Sequence, residues 1–267
     1  MVYFSTKKIK GKKYVYLVKS IRLADGKTIK LQKITNGKKE SLKKLQEKHR
    51  DFFIEKEKEA QAKFALKTYQ TGDIFTEKQI IKIEKMKVEY RQLLKNFSKE
   101  QHKDVFDRFI ANFTYESNAI EGSSLTLKDV TIVMFENRSI EGKDLREIYE
   151  TKNSREVMEK ILKKKFKITE KDIIKMHKML MKNIDKRTGY KQFPNEITGS
   201  QVKLTPPEKV QEEMGQLIGW CNSNPQKLHP LQICALLHGK FEKIHPFADG
   251  NGRVGRFIAN TMLVNNG

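Results

Sequence analysis

Cysteine is scarce in this chain. Cys221 and Cys234 are the only two; that is too few for a disulfide framework, and they lack metal-ligand spacing. They are expected to be buried thiols in a reducing compartment. No run of 18 apolar residues exists, which excludes an ordinary transmembrane helix. The opening Met1-Val2-Tyr3-Phe4 lacks the charged-then-apolar layout of a secretory signal. Together these absences point to a cytoplasmic protein with no membrane partner. Acidic residues are few at the start: residues 1–70 hold 7 Asp/Glu against 20 Lys/Arg, and only Arg22 and Arg50 of those cations are arginine.

That imbalance is local. The whole chain carries a formal charge of +21 over 267 residues. A basic arm of this kind binds nucleic acid or an acidic protein surface, and a solvated lysine-rich surface is the competing reading. Arginine is the better reader of bases and phosphates, so its rarity argues against sequence-specific DNA recognition.

The arm reads as a β-hairpin followed by a helix. Tyr14 to Val18 is aromatic and β-branched, Ala24-Asp25-Gly26-Lys27 is a turn signal, and Thr28 to Ile34 alternates apolar and polar residues. Asn36-Gly37 breaks the chain. Ser41 can cap a helix carrying Leu42, Leu45, Phe52, Phe53 and Phe64, and Thr71-Gly72-Asp73 reads as its boundary. The expected division is an arm over 1–72, helices over 73–125, and a core over 126–267.

From Thr76 onward the fold class is mainly α, with apolar residues at helical spacing. Helices are expected from Thr76 to Lys95, Ser98 to Glu121, Thr126 to Phe135, Asp144 to Lys165, and Thr169 to Asn183. Three more follow: Pro207 to Trp220, Pro230 to Ile244, and Gly252 to Asn265. Pro207 and Pro230 suit a first helical turn, and Thr169 with Asp172 is a helix-start signature. One stretch breaks the pattern. Phe193-Pro194, Thr198-Gly199-Ser200 and the alternating Gln201-Val202-Lys203-Leu204 read as a short hairpin or flap, a candidate binding element in a helical body.

The chemistry concentrates in His245-Pro-Phe-Ala-Asp-Gly-Asn-Gly-Arg-Val-Gly-Arg256. Gly250, Asn251 and Gly252 open the last helix and can form an anion cradle from main-chain N–H groups and the helix dipole. Arg253 and Arg256, three apart, share a helix face, and two guanidiniums beside such a cradle suit a polyphosphate. Asp249 can hold Mg²⁺ between phosphates. His245 can take a proton near neutral pH.

This string matches in full the signature His-Pro-Phe-x-(Asp/Glu)-Gly-Asn-Gly-Arg-x-x-Arg, and the chain therefore resembles the Fic family. Leu204-Thr205-Pro206-Pro207, Trp220-Cys221-Asn222, His229-Pro230-Leu231, and Gly142-Lys143-Asp144-Leu145-Arg146-Glu147 with Asn153 extend the likeness over roughly residues 105–267. The resemblance implies a helical bundle that transfers AMP from ATP to a Ser, Thr or Tyr hydroxyl of a target protein. It implies His245 as base and Asp249 as Mg²⁺ ligand. Gly250, Asn251 and Gly252 would cradle phosphates, with Asn251 orienting the α-phosphate. Arg253 would hold the β-phosphate and Arg256 the γ-phosphate. The flap, through Phe193, Gln201, Val202, Lys203 and Leu204, would clamp the target by strand addition.

Ser117-Asn118-Ala119-Ile120-Glu121-Gly122 is similar to the family's inhibitory motif, (Ser/Thr)-x-x-x-Glu-(Gly/Asn). Ser117 and Glu121 lie one helical turn apart, and Gly122 is a natural helix stop. The resemblance implies that Glu121 pairs with Arg256 and blocks the γ-phosphate seat; in some relatives the same Glu supports AMP removal. Alternatives stay open: transfer of UMP or another phosphate-linked group, or a nucleic-acid-binding regulator acting through residues 1–70. Self-modification and a homodimer are both compatible with the sequence. Family members usually continue with a further helix, so the core is expected to be cut short after Gly267.

Overall fold

Alternation of apolar and polar residues builds three strands near the start of the chain, in a computed structural model that describes residues 2–35, 40–72, 74–197, 199 and 201–267. Strands β1 (Val2–Ile9), β2 (Lys12–Arg22) and β3 (Thr28–Thr35) form an antiparallel sheet in the order β1-β2-β3. The expected hairpin is β2-β3, with Gly26 N–H donating to the Leu23 carbonyl and Lys27 N–H to the Asp25 carboxylate. Strand β1 was not anticipated. Its turn is Lys10-Gly11, both at positive φ (46° and 79°), as a tight hairpin requires. Lysines at 7, 8 and 10 dilute its apolar signal.

One face of the sheet packs on helices. Leu17 is buried with Leu45 and Phe53, and Val2, Phe4 and Leu31 close around them. Ser41 caps α1 (Leu42–Lys48), as expected, through its hydroxyl and Lys44 N–H. The expected single helix is interrupted at His49 and resumes as α2 (Arg50–Thr68). Helix α3 (Glu77–Leu94) starts on a full capping box between Thr76 and Gln79 and joins α2 through Lys58 and Glu89 at 2.6 Å. The chain divides into compact units after Phe97, so the sequence boundary near residue 72 falls inside the first unit.

The second unit begins at Ser98, and the regular elements among its described residues are all helices. It comprises α4 (Lys99–Ala119), α5 (Leu127–Thr131) continued by a π-turn, α6 (Leu145–Leu162), α7 (Glu170–Leu180), α8 (Pro207–Ser223), α9 (Pro230–Ile244) and α10 (Asn251–Asn265). Sequence caps hold at Ser98, Thr126, Asp144 and Thr169, and Pro207 and Pro230 open their helices. Helix α10 packs against α4, α6, α7 and α9. Its Val254, Phe257 and Ile258 are fully or almost fully buried, each burial contributing about 1.5–3 kcal/mol. That face fixes where its first turn points. The 189–206 stretch contains no strand among its described residues, a correction to the expected hairpin. Thr198 and Ser200 lie outside the described residues. Gln201, Val202 and Lys203 are exposed, so their alternation buries no apolar face. No described helix is long and apolar enough to cross a membrane.

Candidate active site

Helix α9 stops at Ile244, and His245 takes a left-handed conformation (φ 51°, ψ 59°) at its end. The backbone N–H of His245 still reaches the Phe241 carbonyl at 2.9 Å, and Pro246 cannot continue the helix. The ring is thereby turned into a cleft of about 860 Å³, a size typical of ligand sites. Nδ1 lies 3.3 Å from the Glu242 carbonyl and 3.9 Å from its carboxylate. A tautomer with the proton on Nδ1 donates there and leaves Nε2 as the basic nitrogen. Burial pushes the imidazole pKa below its ordinary value, partly opposed by the Glu242 carbonyl and carboxylate. His245 is therefore neutral at pH 7.

The loop behind it is braced on both sides. Asn251 accepts from Phe247 N–H and donates to the Phe247 carbonyl, both at 2.8 Å. Its side chain is buried and both of these bonds tie it to Phe247 rather than leave it facing the cleft. Lys191, 3% exposed, donates through Nζ to Asn195 at 2.6 Å and through its backbone to the Pro246 carbonyl at 2.8 Å. Asn195 in turn donates to the Phe247 carbonyl. His177 stacks flat on Phe247, centroids 3.8 Å apart, with Nε2 3.1 Å from the Asp249 carbonyl. None of Lys191, Asn195, His177 or Glu242 was singled out from sequence, because each acts through tertiary contact with the loop.

Gly250 caps α10 at φ 76°, a conformation that favours glycine. The N–H groups of the first turn have no acceptor within the helix and carry the positive end of its dipole. A carboxylate already sits beside that turn. A Cβ at Gly252 would lie 2.9 Å from Glu121 Oε1 and 3.0 Å from Arg256 Nη1. Glu121 Oε1 accepts from Arg256 Nη2 at 2.5 Å, the partnership expected from the motif. Ser117 completes it, accepting from Arg256 Nε at 2.7 Å and through its carbonyl from Nη2 at 2.9 Å. Helix α4 ends just before Glu121, and Gly122 turns at φ 90°. Glu147 then pins the turn by accepting from Ser123 and Ser124.

Arg253 differs from expectation. It is 1% exposed and does not line the cleft. Its Nε lies 2.9 Å from Glu121 Oε2 and its Nη1 3.1 Å from Glu150 Oε1, as ion pairs without hydrogen-bond alignment. Glu121 thus bridges both arginines of the signature. The reason is burial: a guanidinium enclosed among helices needs carboxylates beside it, and the turn after α4 and helix α6 supply them.

Asp249 accepts from Arg146 Nη2 through Oδ2 and from Gly250 N–H through Oδ1, both at 2.5 Å. Burial pushes its carboxyl up, but Arg146, Arg253 and the Gly250 N–H outweigh this and hold it below the usual range. Arg146, raised in turn by Asp249 and also bonded to Glu150 at 2.9 Å, was quoted in the sequence without a role. The described residues hold no group of three or more His, Cys, Asp or Glu able to bind a metal. Mg²⁺ takes few protein ligands and completes its shell with water and other oxygens, so the ionised Asp249 carboxylate fits it once Arg146 leaves Oδ2.

The flap residues are less engaged. Phe193, Gln201, Val202 and Lys203 are exposed and Leu204 is half-buried; none lines the cleft. Asn195, Glu196 and Ile197 do.

Residues 167–263 match the Fic/DOC family. A stretch of 158 residues is 30% identical to a protein named protein adenylyltransferase Fic from Nematostella vectensis, covering 57% of this chain and 37% of that protein. The protein of the same name from Drosophila virilis is 34% identical, with 57% and 32% covered. A Fic-domain-containing signalling protein from Bacteroides thetaiotaomicron superposes with a TM-score of 0.60 at 29% identity, over 66% of this chain and 70% of that one. Fic-1 from C. elegans gives 0.53 at 25% identity, over 64% and 52%. The chain spans about a third of the length of the curated relatives it matches.

Proposed function

Because this chain belongs to the Fic/DOC family, we propose that it is a protein adenylyltransferase held in check by Glu121. The observation that carries this reading is the Glu121 carboxylate: it sits against Gly252, at the dipole end of α10, and is shared by Arg253 and Arg256. Dipole, cradle and guanidiniums together describe a seat for an anion, and a carboxylate from the same chain is in it. The relatives' printed name supplies the anion, a nucleotide of adenine.

In this reaction a target Ser, Thr or Tyr hydroxyl approaches His245 Nε2 and gives it the proton. The hydroxyl oxygen attacks the α-phosphorus of ATP. The bond from that phosphorus to the bridging oxygen breaks, AMP remains on the protein and pyrophosphate leaves. Such a general base contributes about 10²–10⁴-fold. Main-chain N–H groups at Asn251 and Gly252 face the phosphates, and Arg256 holds the γ-phosphate. Arg253, being buried, sets the position of the first turn and adds its charge to the phosphate seat. Asp249 would hold Mg²⁺, which neutralises charge on the phosphates when bound; that requires Arg146 to leave Oδ2. The target segment enters past Asn195, Glu196 and Ile197, which line the cleft, and is clamped by the 193–204 flap through strand addition.

While Glu121 holds Arg256, the γ-phosphate has no cationic seat. The test is labelling of protein with α-³²P-labelled ATP, CTP, GTP and UTP by the intact chain and by Glu121→Gly. The reading expects ATP to label, and the variant to label about tenfold more or better, as for loss of a coupling of 1–3 kcal/mol. Stronger labelling by UTP moves the reading to uridylyl transfer; equal labelling by both proteins removes the brake.

A further inference from the structure

The sheet has two faces with different fates. Residues 2–35 contain ten Lys/Arg and a single acid, Asp25, which lies in the β2-β3 turn paired with Lys27 at 3.1 Å. On the helix-covered face two of the four cations are occupied, while Lys8 and Lys13 at the hairpin end are exposed. Lys19 pairs with Glu57 at 2.7 Å, and the Lys33 ammonium lies 4.4 Å over the Phe52 ring.

By the register of the ladders, the opposite face carries Tyr3, Lys7 and Ile9 from β1, Lys12, Tyr14, Tyr16, Ser20 and Arg22 around a fully buried Val18 from β2, and Lys30, Gln32 and Ile34 from β3. It has no acidic residue. Lys7, Lys12, Arg22 and Lys30 are exposed, and among the described residues none of them pairs with a carboxylate. Lys7 is held in place by Gln32 at 2.8 Å and stands 5.3 Å over the Tyr16 ring. A cation therefore covers the Tyr16 ring, and Tyr3 and Tyr14 on the same face are half-buried, which favours phosphate contact over stacking. Adjacent strands are about 4.8 Å apart, so the outer two lie about 10 Å from one another. A major groove about 12 Å wide accepts a two-stranded ribbon, so a three-stranded face reaches across the groove to the phosphates that border it.

We propose that this face binds duplex DNA through its phosphates, lying across the major groove. With Arg22 as the only arginine on the face, binding is led by the backbone and has little base preference. The experiment is fluorescence anisotropy of the full chain with a labelled mixed-sequence duplex, between about 50 and 200 mM salt. Four phosphate contacts predict a log–log slope near −4. The pair Lys12→Gln with Lys30→Gln should make the slope shallower by about 2 and weaken binding about tenfold or more at low salt. The pair Lys43→Gln with Lys44→Gln removes the same charge from exposed sites on α1 and should leave both at wild-type values. Unchanged far-UV circular dichroism confirms that the variants fold. Equal losses in the two pairs, an unchanged slope, or single-stranded nucleic acid or an acidic polypeptide outcompeting the duplex would overturn the proposal.

Discussion

His245 is useful as a base because its surroundings keep it neutral. Burial lowers its pKa below the ordinary value and Lys191 adds to this. Transfer by Glu121→Gly should therefore rise with pH through a limb below about 6.5 and be flat from there to pH 8. The profile of kcat/KM against pH checks this, and a limb at 7 or above contradicts it. His177 is buried more deeply, and burial lowers it to about 4 from 6.5. Between those values the unfolded chain takes up a proton that the folded chain refuses. The stability it contributes is complete above the unfolded value and is lost as pH falls toward the folded one. Urea unfolding should show a drop of about 2 kcal/mol from pH 7 to pH 5, and His177→Gln should shrink it. A variant with the same drop places the acid sensitivity elsewhere.

Elements place these groups, and the glycines at their ends do much of the placing. Gly250 holds φ at 76° with Met181 Sδ 2.8 Å from where a Cβ would be. Gly250→Ala should lower unfolding free energy by about 1–2 kcal/mol from the left-handed conformation; an unchanged Tm would show that the cap is free to relax. The signature loop, the helix starts and the Glu121–Arg256 pair were all legible in sequence, because each rests on residues within a turn or on one complete motif. Three features were not. Strand β1 is lysine-rich, and its Lys10-Gly11 turn lacks the usual Asn or Asp. The hairpin expected over 193–204 rested on turn signals and four alternating residues, of which Leu204 alone is half-buried. The links of Arg253 to Glu150 and of Asp249 to Arg146 depend on where α6 lies against α10, which no local pattern records.

At the scale of the whole molecule, charge and chemistry separate. The lysine-rich sheet belongs to the first compact unit, and the cleft, its base and its brake belong to the second. That division lets binding and transfer be tested apart: sheet-face variants should leave labelling unchanged, and cleft variants should leave duplex binding unchanged. The central claim concerns the cleft alone, that His245 performs AMP transfer once Glu121 leaves the anion seat. Incorporation of label from α-³²P-ATP into protein by Glu121→Gly, with and without His245→Ala, tests it most directly. The account predicts strong labelling by the single variant and a loss of about 10²-fold or more in the double variant. No labelling by folded Glu121→Gly, or labelling that survives His245→Ala, would contradict it.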